Sequence, residues 1–309
     1  MDLKKINNII YIRYNELEIK SNNLKENRIM GIIIAIATLG GIFCYYQNNK
    51  IVITNIRVKG NINNKIRIVQ ISDLHSKEFG KGNNILYKKI IEQEPDIVVA
   101  TGDLIDSNMK KLDEIIEFCS RVNKKVPMYY ILGNNEMRCS RLNEIIEKLK
   151  INNINVLENE IQTINIKSNT INILGLAEKR IDGGGEFYSK VKSRYAIENN
   201  EILFKKLEKL NGIKLVLSHY PENFEYIDEF SYNKYKFDIM FSGHAHGGQF
   251  ILPGLGGIFA PGQGLFPKYY KGIYGEKNKL VVSRGLGNSG FPLRLFNRPD
   301  VVVVDIVNK

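Results

Sequence analysis

The sequence predicts a mixed α/β (α+β) fold, with sheets packed together and helices outside them. Three observations carry this. From residue 51 onward, short runs rich in β-branched residues alternate with amphipathic segments. The last quarter turns strand-rich, with Gly and Pro turns between its strands, the pattern of sheets covered by helices. No internal repeat and no linker divides residues 51–309, a length that one large domain can fill.

The elements follow in order. Residues 1–28 are a polar leader of mixed charge. Residues 29–46 are uncharged and apolar, and at ~1.5 Å per residue they are just long enough to cross a ~30 Å hydrocarbon core. Arg28 and Lys50 bound this run, and Tyr45 and Tyr46 suit an interface. A cleaved signal peptide fits less well, because the leader is long and no small-x-small site follows. Phe43 before Cys44 argues against a lipoprotein signal. The expected organisation is therefore a leader (1–28), a single-pass membrane anchor (29–46) and a domain (51–309). Lys and Arg in the leader place the N-terminus inside and the domain on the extracytoplasmic side of the cell membrane. Strands are expected at 51–58, 65–72, 96–100, 128–132, 163–166, 170–176, 214–218, 237–242, 249–252, 279–283 and 301–307. Helices are expected at 83–94, 110–123, 141–150 and 196–210, and Gly183, Gly184 and Gly185 mark a loop.

Composition sets limits. The formal net charge is +11, with Lys and Arg spread along the chain. This fits a solvated basic surface, and beyond that an attraction to anionic lipid or phosphorylated substrates. Nucleic acid is not the expected partner, since no basic run carries interleaved aromatics. No obligate protein partner is evident. Cys44, Cys119 and Cys139 have no metal-type spacing and imply no disulfide framework.

The chemistry lies just after the strands. Asp73 and His75 follow one, and Asp103 and Asp106 the next; Asn134, Asn135 and Glu136 follow a third. His219 comes after a fourth, and His244 and His246 after a fifth. The chain has four histidines, and every one of them ends a strand. Ligands gather outside the carboxyl ends of strands in open sheets, so these loops are expected to build one site. Mixed oxygen and nitrogen donors suit divalent Mn, Fe or Zn. Asp73, His75, Asp103, Asn134, His219, His244 and His246 are too many for one tetrahedral ion, so two ions are expected.

The order Asp-x-His, Gly-Asp-x-x-Asp, Gly-Asn-x-Glu, His, Gly-His-x-His closely resembles the calcineurin-like metallophosphoesterases, over about residues 66–307. Gly247-Gly248-Gln249 and residues 283–290 look like the membrane-associated bacterial branch of that family. The resemblance implies a four-layer αββα sandwich of two mixed sheets flanked by helices. It implies that Asp73, His75 and His246 hold one ion, that Asn134, His219 and His244 hold the other, and that Asp103 bridges. A water shared by the ions would be the nucleophile, and the substrate a phosphoester or phosphoanhydride, lipid-linked in part of this branch.

One position departs from the pattern. Where the family has His after the motif's Asn, this chain has Asn135. An amide donates a hydrogen bond but has no proton to give. General acid catalysis is typically worth ~10²–10⁴-fold, so alkoxide leaving groups should suffer most. Asn135 therefore favours an anhydride or activated ester, with Asp106 as the second candidate catalytic residue. Arg138 or Arg180 could supply positive charge. Three alternatives stay open: a UDP-2,3-diacylglucosamine-type lipid pyrophosphate hydrolase, a nuclease or phosphodiesterase, and a catalytically silent metal-binding membrane protein. The glycines at 285–290 read equally as a substrate loop or a plain turn.

Overall fold

The computed structural model describes residues 3–178, 200–225, 231–288 and 290–309, and it divides into two compact units, Met1–Tyr46 and Gln47–Lys309. The first unit is helical, within α1 (Leu3–Asn49). Its segment Lys25–Asn49 is long and apolar enough to cross a membrane. The apolar run alone predicts a helix from residue 29. The observed helix starts far earlier, because residues 1–28 contain neither Gly nor Pro to stop it.

The second unit holds two six-stranded sheets. In the first, the order is β1 (Val52–Gly60), β16 (Asp300–Asn308), β2 (Ile66–Ile71), β3 (Ile97–Thr101), β4 (Met128–Ile131) and β5 (Asn155–Val156). Strands β2 to β5 are parallel, and β16 runs antiparallel to β2. In the second sheet, the order is β14 (Gly272–Tyr274), β15 (Lys279–Val282), β9 (Ile239–Ser242), β8 (Ile213–Leu217), β7 (Asn169–Gly175) and β6 (Glu160–Ile166). Its four central strands are parallel, with antiparallel β14 and β6 at the edges.

Period-two alternation explains the layers. Ile66 and Ile68 of β2 face Ile173, Leu215 and Phe241 of the other sheet, while Val69 and Ile71 face outward. The outward side is covered by α2 (Asn84–Ile91), α3 (Leu112–Asn123) and α5 (Leu142–Ile151), through Leu86, Ile90, Phe118 and Ile145. On the far side, Phe204 and Leu207 cover Val216 and Met240. Central strands buried on both faces read as near-continuous apolar runs, so their positions were legible. The result is helix, sheet, sheet, helix.

Observed ends of the fully described elements lie within three residues of expectation. The helix expected at 196–210 is described at residues 200–208, while Gly183–Gly185 and Arg180 lie outside the described residues. The strand expected at 249–252 is β10 (Ile251–Leu252), whereas the apolar pattern does not announce α4 (Asn134–Arg138), β5, β14, β11 (Gly256–Gly257), or the hairpin β12 (Phe259–Ala260) with β13 (Gly264–Leu265). They are too short for a period.

One ion pair fastens the β2–β16 register. Arg67 Nε and Asp305 Oδ1 are 2.7 Å apart on directly opposed residues, and Lys65 adds a second cation to Asp305. Arg67 and Lys65 hold the Asp305 carboxyl down at about 2. A depressed carboxylate stabilises above its unfolded value and loses that contribution as pH falls through its folded value. Asp305→Asn should therefore cost about 1 kcal/mol at neutral pH and progressively less as pH falls through about 2, read by urea unfolding across that range.

Candidate metal centre

The parallel strands of both sheets deliver their next residues to one place. Asp73 and His75 follow β2, Asp103 follows β3, Asn134 opens α4 after β4, His219 follows β8, and His244 and His246 follow β9. Backbone hydrogen bonds tie these loops together. Asp73 N–H donates to Gly102 O (2.9 Å), His75 N–H to Asp103 O (2.9 Å), and Gly243 N–H to His219 O (3.1 Å). His244 N–H donates to the Asp73 carboxylate across the two sheets (3.0 Å).

Local backbone geometry is unusual. Asp73, His75, Asp103, His244 and His246 all have φ between +47° and +63°. Asp and His tolerate this region better than most residues, yet each such residue costs ~1–3 kcal/mol and persists only where its surroundings hold it. Two glycines permit the close approach. A Cβ on Gly133 would sit 2.2 Å from Asp103 Oδ1, and one on Gly243 would sit 1.9 Å from Ser72 Oγ.

Two donor clusters result. Asp73, His75 and His246 form one, and Asp103, His219 and His244 the other; within each, the donor atoms lie within 4.8 Å of one another. Asp103 Oδ2 stands between them, 3.8 Å from His75 Nε2 and 3.6 Å from His219 Nε2. Asn134 Oδ1 joins the second cluster, 3.1 Å from His219 Nε2.

The donor set fits cations. His219 Nδ1 lies 2.7 Å from Thr101 O, which can only accept, so Nδ1 carries the proton. Nε2 points at the oxygens of Asn134 and Asp103, and a cation bound there would take the place of the Nε2 proton and leave the ring neutral. His75 repeats this. Its Nδ1 faces Asp106 Oδ1 (3.5 Å), and its Nε2 faces His246 Nε2 at 3.1 Å. Ring nitrogens and carboxylate oxygens crowded together need positive charge between them, and two divalent cations would supply it in place of protons.

Electrostatics point the same way. Burial pulls the His219 imidazole down, but Asp103 and Asp73 outweigh burial and push it up to about 10. Burial likewise opposes, and Asp106, Asp103 and Asp73 overcome it to raise, His75. Asp73 is raised by burial. Asp103 is held far below the carboxylate range: burial opposes this, and His219, His75 and the Asn135 N–H prevail. His246 is pushed well down by burial and by His75.

Around the clusters, the structure separates the remaining sequence candidates. Asn135 Nδ2 donates to Asp103 Oδ2 (2.6 Å) and its backbone N–H to Asp103 Oδ1 (2.7 Å), so Asn135 borders the site. Asp106 lies behind His75, on the nitrogen that faces away from His246, in an orienting place. Arg138 is exposed at the end of α4. Leu286 and Gly287 N–H donate to the carbonyls of Ser72 and Asp73, which places this turn against Asp73.

Two buried glutamates stand out. Glu136 accepts the N–H groups of Asp103, Ile105 and Gly133 and the Tyr130 hydroxyl. Glu178 accepts from His219 N–H, Ser218 Oγ, Asn223 Nδ2 and the Tyr232 hydroxyl. Sequence reasoning missed Glu178, although it shares the signal of the others: it comes three residues after a strand, β7.

The calcineurin-like phosphoesterase family model matches residues 66–248. An uncharacterized metallophosphoesterase of Aquifex aeolicus is 30% identical, over 79% of this chain and 86% of its own. Another, from Campylobacter jejuni, is 32% identical over 81% of this chain and 61% of its own. The phosphodiesterase YaeI of Escherichia coli is 28% identical over 78% of this chain and 82% of its own.

Proposed function

The chain belongs to the calcineurin-like phosphoesterases, and on that premise we propose that it hydrolyses a phosphoanhydride, or an ester with a stabilised leaving group, at a membrane surface. That it is a phosphoester hydrolase using two divalent cations follows from the family and the paired donor clusters. In the proposed arrangement Asp73, His75 and His246 hold one cation, Asn134, His219 and His244 the other, and Asp103 is shared. The position of Asp103 Oδ2 between two imidazoles supports the sharing. When bound, the cations supply an activated water and a clamp on the attacking and departing oxygens. Two carboxylates offset only half the charge of two divalent ions, which leaves the centre positive toward phosphate.

The chain's own groups set the rest. Asp106 and Thr101 O fix the ring orientations of His75 and His219, as outer partners of metal-bound imidazoles do. Asn135 carries the substrate reading. One hydrogen of its carboxamide is committed to Asp103, and the second can donate to a phosphoryl oxygen, but no proton is released to a departing alkoxide. An anhydride departs as phosphate and does not need one. The relative named a phosphodiesterase supports a phosphodiester as the second substrate class. The membrane location is supported by the apolar segment within Lys25–Asn49.

Asn135→His provides the test. Hydrolysis of an alkyl phosphodiester should rise at least about tenfold, with little gain on a phosphoanhydride. An unchanged ratio between the two substrates would show that leaving-group protonation does not pass through this position.

A further inference from the structure

Beyond residues 29–46, the second unit has its own exposed apolar side chains, on loops hydrogen-bonded to the segment that carries His246. Apart from Ile85, Ile151 and Ile202, the exposed large apolar side chains described in this unit all fall within residues 255–296. Leu255 (65%), Leu265 (69%) and Phe266 (61%) are the most exposed, and Phe291 (48%) and Leu293 (41%) are among the others. Scattered apolar residues need no explanation, but a concentration on one loop cluster does. Phe266 also has φ +51°, a conformation that bulky residues rarely adopt, without gaining burial for its ring.

These loops connect directly to the site. Gln249 Nε2 donates to the carbonyls of Phe291 (2.9 Å) and Leu293 (2.6 Å). Asn297 Nδ2 donates to His246 O (2.7 Å). Ile258 N–H donates to Gly248 O, and Phe266 N–H to Ile258 O. The start of the unit joins the same loop: Asn48 Oδ1 accepts from Asn288 Nδ2 and from Arg294 N–H, each at 3.2 Å. Asn48 comes two residues after the apolar run 29–46, so the chain leaves this unit for that run beside Phe291 and Leu293. Lys271 is exposed near Leu265 and Phe266, Lys268 beside them is paired with Glu225 (2.6 Å), and the net charge is +11. Apolar side chains flanked by lysines match an anionic bilayer.

We propose that Leu255, Leu265, Phe266, Phe291 and Leu293 form a lipid-facing rim that docks the mouth of the metal centre onto the anionic bilayer entered by residues 29–46. The substrate would then reach the site from the membrane plane, its phosphate at headgroup depth. This rests on reading residues 29–46 as a membrane segment.

The chain contains no tryptophan, so single substitutions report on their own position. The full chain is reconstituted in phosphatidylglycerol-containing vesicles with brominated acyl chains, carrying Leu265→Trp, Phe291→Trp, Ile36→Trp or Ile151→Trp. Leu265→Trp and Phe291→Trp should each be quenched, as side chains that reach the acyl boundary are. Ile151→Trp, at the end of α5 where the chain returns to the start of β5, should keep its emission. Quenching of Ile36→Trp alone would overturn the docking rim while leaving the anchor standing. Quenching of the rim without Ile36→Trp would overturn the membrane reading of residues 29–46 and, with it, the proposal as stated. No quenching anywhere, or equal quenching of Ile151→Trp, would overturn the rim.

Discussion

Asp103→Asn is expected to abolish hydrolysis while the chain stays folded. Asp103 Oδ2 lies close to an imidazole of each donor cluster, 3.8 Å from His75 Nε2 and 3.6 Å from His219 Nε2. An amide there carries no charge and bridges cations poorly. Changes to groups behind metal ligands typically cost ~10–100-fold, so losing the shared ligand itself should cost more. The fold should survive, because Asn135 can rotate its own carboxamide to meet the new one. Turnover with added Mn, beside circular dichroism of the same sample, separates the two effects. Wild-type turnover by the variant would reject the shared role.

Glu136→Ala should produce the largest loss of stability. Each carboxylate oxygen of Glu136 accepts two donors: Oε1 takes Ile105 N–H and the Tyr130 hydroxyl, and Oε2 takes Asp103 and Gly133 N–H. Burial and the neighbouring Asp103 push this carboxyl up to about 7, against the pull of these donors. Alanine would leave three backbone N–H groups and a phenol buried without an acceptor. Each stranded group costs ~1–3 kcal/mol, so a loss of about 4 kcal/mol or more is expected in urea unfolding. Gln should recover only part of it, because its amide turns donors toward donors. A loss below 1 kcal/mol would mean that water reaches these groups.

The sandwich was legible because its central strands are buried on both faces. Runs such as residues 97–101 and 239–242 can be little else, and each is followed at once by the residues that meet at the centre. The spacing of Asp73 and His75, and of His244 and His246, was equally readable. Three things were not. The left-handed backbone of five site residues has no sequence signature when the residues are Asp and His rather than Gly. Glu178 lies far from His219 in sequence, and only the pairing of β7 with β8 brings the strands leading to them side by side. The direction of Asp106, behind His75 rather than toward the centre, depends on a loop whose course is set by Ser76 and Glu136. The apolar rim was hidden for a related reason. Phe291 and Leu293 in a Gly- and Pro-rich stretch look like ordinary core residues until burial is known.

Metal content per chain tests the central claim most directly. Purified full-length protein, loaded with Mn and freed of unbound ions, should carry about two ions per chain, and Asp103→Asn should carry fewer. An active wild-type protein holding one ion or none would contradict a centre built from both donor clusters.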